Sequence, residues 1–299
     1  MENIQFLGKW AYVVALPIFI AFILLELYIE WKEGNNTYKK DDTKNNFISG
    51  IVFVIVGIAI KSAKLFVFYT IYNHFRLYTL PVDEVWVWIT LFFLEDLTNY
   101  WGHRIGHKVS FYWASHVVHH NSEIFNLSTA FRKTWTYDIT GHFLIWAWLV
   151  IIGFDPLMVF LVKTFNFIYQ FFVHTEKVGK LHPIIEFIFN TPSHHRVHHG
   201  SDLKYMDRNL GGILIIWDRM FGTFQEEEEK PNYGITNNIK SENIFVIEFH
   251  EWKSLLKRVL SDKSWKNRLK YVFGHPGWSP DKSTLTVDEM RTMQTKGQV

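Results

Sequence analysis

Apolar positions along the chain gather into long runs instead of the spaced pattern of a soluble amphipathic helix. The run from Trp10 to Leu27, continued by Tyr28 and Ile29, meets the length of about 20 residues that a helix needs to cross a bilayer. It has no small-residue cleavage pattern and is read as a retained anchor, not a signal peptide. A second run, Phe47 to about Tyr72, is interrupted by Lys61 and Lys64, which share one helical face and are expected to reach toward headgroups. A third, Leu80 to about Tyr100, is rich in Trp and Phe and carries Glu95 and Asp96 near its end. A fourth, about Ile139 to Val173, is broken at Gly153-Phe154-Asp155-Pro156. Its halves, about 13 and 18 residues, are short for full spans and predict a helical hairpin entering and leaving by one side.

Loop charge orients these elements. Residues 32–46 carry Lys32, Lys39, Lys40 and Lys44, whereas the next short loop offers only Arg76. The excess of Lys over the first loop places it in the cytosol. Three crossings and a hairpin then leave both the stretch after about residue 101 and everything after His174 on the cytosolic side. Residues 225–299 open with the acidic run Glu226–Glu229 and continue with basic and aromatic residues in helical order. They read as a soluble tail with a solvated amphipathic helix, or one resting on anionic headgroups. The expected fold is all-α: an integral membrane bundle of about four transmembrane elements with a cytosolic, histidine-rich helical cap. Its divisions fall at 1–79, 80–224 and 225–299.

Composition narrows the chemistry. The chain has 299 residues, 48% hydrophobic and 18% aromatic, with a formal charge of +2, which gives no reason to expect nucleic acid as a partner. It has no cysteine, so disulfides, thiolate nucleophiles, iron–sulfur clusters and zinc–cysteine sites are excluded. Any metal must be held by nitrogen and oxygen donors. Eleven of the fifteen histidines fall in two windows, 103–120 and 174–199. His103 and His107 are spaced i,i+4; His116, His119 and His120 repeat that logic, as do His195, His198 and His199. Such spacings stack imidazoles on one helical face. His194 precedes the last group, and His174 and His182 stand upstream. Crowding so many protonatable rings without a metal costs repulsion or unsatisfied polar groups. A zinc site takes about four ligands, so ten candidates point to two metals. Imidazole alone does not choose among iron, zinc and copper. The absence of a His-Glu-x-x-His sequence counts against a common zinc protease. Asp96, two turns before His103, is a candidate to orient a ligand imidazole, and Glu123 and Asn126 are candidates for the same role.

The order His-x3-His, His-x2-His-His, His-x2-His-His after apolar helices resembles the fatty acid hydroxylase and sterol desaturase superfamily. Within it, Asn99-Tyr-Trp-Gly-His-Arg104, His119-His-Asn-Ser-Glu123, Asn126-Leu-Ser-Thr-Ala130, His174-Thr-Glu176, Asn190 to Gly200 and Gly212 to Phe224 are similar to the branch that cleaves ether lipids. The resemblance covers roughly residues 80–280 and implies an O2-dependent di-iron monooxygenase acting on a lipid. It also implies His103, His107, His116, His119, His120, His174, His195, His198 and His199 as ligands, joined by His194 or, in its place, His182. Electrons would come from tetrahydrobiopterin or an external electron-transfer protein. The chain departs from the pattern at Lys108, where the resemblance calls for an acidic residue. Two other readings are a sterol, carotenoid or fatty acyl chain as substrate, and, from another class, a histidine-lined metal transporter.

Overall fold

In the computed structural model, which describes residues 2–297, the first two apolar runs become the longest helices, α1 (Glu2–Glu33) and α2 (Lys40–Phe75). Both are long and apolar enough to cross a membrane, over Val13–Glu33 and Lys40–Phe75. Only 22% and 6% of their most apolar windows is buried inside the protein. Leu24, Ile51, Ile58 and Phe66 are instead more than half exposed. Contiguous apolar surface of that extent is unfavourable in water, and lipid is the medium it suits.

The other helices are α3 (Val85–Lys108), α4 (Ser110–His120), α5 (Ala147–Ile152), α6 (Pro156–Phe172), α7 (Pro183–Ile188) and α8 (Pro192–His198). They are followed by α9 (Ile216–Phe221), α10 (Ile244–Ser261), α11 (Trp265–Phe273) and α12 (Val287–Thr295). Single 3-10 turns occur at Leu127–Phe131 and His142–Trp146. No strand occurs among the described residues, where isolated bridges join only Phe189 to Leu214 and Gly200 to Tyr233.

Three expectations change on folding. The third apolar run is not among the helices apolar enough to span. It continues two turns further as α3, because Glu95 and Asp96 are buried mid-helix and bonded internally. Glu95 accepts from Trp146 Nε1 and Asn166 Nδ2, each at 3.0 Å. Lys64 does not reach outward but pairs with Asp138 at 2.7 Å, leaving Lys61 exposed. The tail is not a free solvated helix either. Ile247, Glu248 and Leu255 of α10 are buried, and Glu248 accepts from Ser49 Oγ (3.1 Å), Trp135 N (3.1 Å) and Thr134 Oγ1 (3.3 Å). Burial pushes this carboxyl up to about 7.

The hairpin breaks where the sequence has Gly153-Phe154-Asp155-Pro156. α5 stops at Ile152, Asp155 accepts from Leu157 N at 2.8 Å, and Pro156 opens α6. Its tip is zipped to the α2–α3 loop by Leu77 N to Ile151 O (2.7 Å), Tyr78 N to Ile152 O (3.2 Å) and Leu80 N to Gly153 O (3.2 Å). Both halves therefore reach the level at which α2 ends. Behind the tip, Phe68, Leu91, Trp146, Leu149, Phe154 and Met158 form one buried cluster from α2, α3, the hairpin and α6. A second, smaller cluster of Ile23, Leu127, Ala130 and Phe171 ties α1 to α6. These clusters hold the ends of α3 and α6 side by side.

Gly153 has φ +127°, and a Cβ there would lie 2.2 Å from Tyr78 O. Gly153→Ala is expected to lower stability by about 2 kcal/mol or more. Gly179→Ala, where nothing lies within 4 Å, should change it little. Thermal melting of the detergent-solubilised protein compares the two.

Candidate metal centre

Local folding brings the histidines of four segments together. Val109 is extended (φ −118°, ψ 117°), so α3 stops and α4 doubles back against it. His103 and His107 at the end of α3 thereby face His116 and His120 on α4. His174 follows the last turn of α6, and α8 begins at Pro192 to carry His195 and His198, with His199 as its C-cap. The nitrogens sort into two groups, each within 4.8 Å: His103, His107, His116, His120 and His198 in one, His119, His174, His195 and His199 in the other. The groups adjoin, since the rings of His120 and His199 stack at 4.6 Å. Sequence neighbours His119 and His120 point into different groups, as do His198 and His199.

The remote nitrogen of several rings is committed to main-chain carbonyls. Nδ1 of His103 donates to Leu210 O (2.9 Å), His119 to Arg132 O (3.1 Å), His174 to Gln170 O (2.6 Å) and His198 to Arg208 O (3.0 Å). His107 Nδ1 lies 3.2 Å from Asp207 Oδ1. A carbonyl accepts only, so each of these neutral rings carries its proton on Nδ1 and turns a bare Nε2 lone pair inward. His119 and His174 then oppose two lone pairs at 3.3 Å. His174 Nε2 is also 3.0 Å from His195 Nε2, and His116 Nε2 is 3.0 Å from His103 Nε2 and 3.1 Å from His120 Nε2. Nε2 of His107, His198 and His199 is buried without a hydrogen-bond partner. Two nitrogens bound at about 2.0–2.1 Å to one ion lie about 2.9–3.4 Å apart for angles between square and tetrahedral. The observed contacts fall in that range. A cation satisfies lone pairs that otherwise repel, and the residues present fit a metal.

Protons do not satisfy them. Burial is the main cause that holds His103, His116, His119, His120, His195, His198 and His199 well below the ordinary imidazole range, and His174 at about 3. Asp207, held down to about 2 by its bond to His107 and by Lys108 (3.0 Å) against the opposing effect of burial, brings a carboxylate to one ring.

The loop supplying two of the carbonyls has its own support. Asp207 (φ 55°) and Asn209 (φ 52°) adopt left-handed conformations, which Asp and Asn tolerate best after glycine. Asp218 accepts from Leu210 N and Gly211 N, both at 2.7 Å. Asp96 does not orient an imidazole: it accepts from Ile213 N (2.8 Å), Leu214 N (3.0 Å) and Trp217 Nε1 (2.9 Å), clamping the end of this loop. Gly212 is needed there, since a Cβ would stand 2.4 Å from Asn99 Nδ2.

Other expected site residues lie elsewhere. His194 belongs to neither group; its Nδ1 accepts from Thr191 N (3.3 Å) and its Nε2 pairs with Glu186 (3.0 Å), so it caps α8 and ties it to α7. His182 is exposed at the start of α7. Asn126 caps the 3-10 turn through Ser128 N (2.9 Å) and donates to Thr37 O (2.6 Å). Glu123 is exposed, in neither group. Asp207, Arg132 and Lys133 were not foreseen. A cavity of about 70 Å³ touches His103, His116, His119 and His195, and is walled by Phe53, Tyr137, Trp146 and Phe167 with Lys133 among them.

Residues 88–223 match the fatty acid hydroxylase family. That segment is similar to the fatty acid hydroxylase family. The family segment holds every histidine of both groups. The human alkylglycerol monooxygenase is 38% identical over 277 residues, 92% of this chain and 61% of its own. That of Danio rerio is 39% identical over 274 residues, 91% and 60% respectively. An ornithine lipid hydroxylase of Rhizobium tropici is 28% identical over 158 residues, 49% of this chain and 44% of its own. The chain thus spans about three-fifths of the length of the alkylglycerol monooxygenases. No solved structure gives a significant match.

The burial of these rings sets a pH dependence in the segment that holds them. The eight site histidines named above have a lowered folded pKa, so below about pH 6.5 the unfolded chain binds protons that the folded chain refuses. Stability of the metal-free protein should fall as pH drops from 7.5 to 5.5, by up to about 1.4 kcal/mol per pH unit for each such histidine. Denaturant melts of chelator-treated protein across that range measure the slope. A flat profile contradicts the buried neutral rings.

Proposed function

We propose that the chain is a membrane-bound, O2-dependent di-iron monooxygenase that hydroxylates ether lipids of the alkylglycerol type. Two adjoining all-imidazole groups beside an aromatic-walled cavity carry this reading. Similarity to alkylglycerol monooxygenases across about nine-tenths of this chain supports the substrate. These relatives do not favour a sterol, carotenoid or fatty acyl chain, or a transport role.

One iron would be held by His103, His107, His116, His120 and His198, the other by His119, His174, His195 and His199. Iron, when bound, supplies the redox chemistry that activates O2. The chain's own residues do the positioning. Carbonyls of Leu210, Arg132, Gln170 and Arg208 hold the rings in the ligating tautomer. Phe53, Trp146 and Phe167 give the alkyl chain an apolar wall and exclude water from the attacked carbon. Burial lowers Lys133 to about 8, so its ammonium keeps its proton at neutral pH and can donate to a glyceryl oxygen.

The reaction replaces C–H by C–OH at the ether-bearing carbon. One oxygen atom of O2 enters the product and the other leaves as water, using two electrons and two protons. The hemiacetal then breaks its C–O bond into an aldehyde and glycerol. Tetrahydrobiopterin supplies the electrons in this reading; an electron-transfer protein is the alternative donor. The lysines of residues 32–46 against the single Arg76 support a cytosolic side for the histidine groups in this reading. In that topology α3, although less apolar than α1 and α2, crosses with them, and the α5–α6 hairpin completes about four membrane elements around an oxygenase core of residues 80–224, followed by the cytosolic 225–299.

The test is aldehyde release from a 1-O-alkylglycerol by the purified chain with iron, O2 and tetrahydrobiopterin. His119→Ala and His198→Ala should lower turnover at least a hundredfold and lose iron together, read by product mass spectrometry and metal analysis. His194→Ala and His250→Ala should retain iron. Full activity in His198→Ala refutes the ligand assignment.

A further inference from the structure

The two C-terminal helices after the family segment each leave an apolar side bare. In α10, Ile247, Glu248 and Leu255 face the core. Phe245, Phe249, Leu256 and Leu260 are exposed at i, i+4, i+11 and i+15, a row within an arc of about 60° of the helix. α11 buries no residue and repeats the pattern with exposed Trp265, Leu269 and Phe273 at i, i+4 and i+8. Leu260 is 65% exposed and Trp265 71%. The helices pack on one another, so the rows belong to one surface that water does not favour.

Lysine accompanies both rows. Lys253 and Lys257 lie beside the row of α10, and Lys266 and Lys270 each follow an apolar position of α11 by one residue. These four, and Lys263 between the helices, are exposed, and none is ion-paired among the described residues. The acids of the same stretch do not offset them. Glu248 is buried, Glu251 is paired with Arg258 at 2.7 Å, and Asp262 is half-buried. An apolar row edged by uncompensated lysines is the composition of a helix that rests in the headgroup region of an anionic leaflet.

The place of this face in the fold matches that composition. Asn45 Nδ2 donates to Glu242 O at 3.0 Å, just before α10, and Ser49 Oγ donates to Glu248 at 3.1 Å. Two residues further along α2, Ile51 begins its exposed apolar surface. Phe245 and Phe249 lie 5.6 and 6.0 Å from Trp135, in the loop that leads to exposed Ile139 and the hairpin. The row of α10 thus starts at the level where α2 and the hairpin enter the apolar layer.

We propose that α10 and α11 rest on the anionic leaflet that α2 enters, their apolar rows at the acyl boundary and their lysines among phospholipid headgroups. This rests on the membrane-bound part of the reading above and not on its chemistry. Phe111 meets Trp252 at 5.3 Å and Ser110 N donates to Gly274 O at 2.9 Å, so the layer braces α4. The leaflet thereby supports the helix that carries His116, His119 and His120.

Because the chain has no cysteine, single spin labels test the contact in the full-length protein. Leu260→Cys and Phe273→Cys report on the face, Ile58→Cys on α2 is the lipid reference, and Gln294→Cys on α12 is the water reference. Accessibility to O2 against a nickel chelate is read in nanodiscs of phosphatidylcholine with or without phosphatidylserine. With phosphatidylserine, the labels at 260 and 273 should match that at 58; without it, they should move several-fold toward that at 294. Lys253→Glu, Lys257→Glu and Lys266→Glu together should abolish the response to phosphatidylserine, with the thermal melt and the label at 58 unchanged. Nickel-accessible labels at 260 and 273 in both bilayers overturn the proposal. So does shielding that ignores headgroup charge, or that appears only with two chains per disc, which marks a second copy as the occupant. A label at 58 open to nickel refutes the membrane reading itself.

Discussion

Imidazole lone pairs held face to face in a buried place are the constraint around which the protein is arranged. His119 and His174 each give their only proton to a carbonyl and then meet at 3.3 Å. Burial disfavours the imidazolium that would relieve the contact. A dication relieves it, so folding and metal binding are linked through the same atoms. The surrounding structure serves to keep these rings from turning away. Asp218 fixes Leu210, Asp96 fixes the segment after it, and Arg132 is held by Asp42 (2.9 Å) and Asn46 (2.8 Å) of α2. Through Arg132 the long apolar helix α2 is connected to the ring of His119.

The apolar helices also set the position of the site. A hairpin whose tip is stitched to the α2–α3 loop fixes how far α6 runs, and so where His174 emerges. Buried Glu95, Asp96 and Asn166 make α3 and α6 a bonded pair, with Asn166 Nδ2 3.0 Å from both carboxylates. A polar cluster of this kind is costly to bury unless every partner is present. It therefore specifies one register between the two helices that deliver His103, His107 and His174.

Much of this was legible in the residues. Spacing at i, i+3 and i+4 placed the rings on shared faces, and Gly153-Phe154-Asp155-Pro156 marked the turn because glycine alone takes its φ and proline starts a helix. What spacing does not carry is the direction of the other ring nitrogen. Its partners are mostly main-chain carbonyls, contributed by loops far along the chain, and any residue type offers one. For the same reason His194 looked like its neighbours. It lies one residue before His195, on a face that meets Glu186 rather than the other rings. Asp96 was marked as a carboxylate to orient an imidazole, but its partners include peptide N–H groups 117 and 118 residues away. No local pattern records those. The α10 tail looked solvated because its charges dominate the sequence, while only a few buried positions dock it.

The assignment of neighbouring residues to different groups has a mechanical consequence. His119 and His120 share a peptide unit, as do His198 and His199, so neither group can be widened by shifting α4 or α8 without straining the other. The two centres are geared. A disturbance that loosens one set of rings, whether from an emptied cavity or a moved loop, is transmitted to its neighbour through stiff covalent links and not through soft packing.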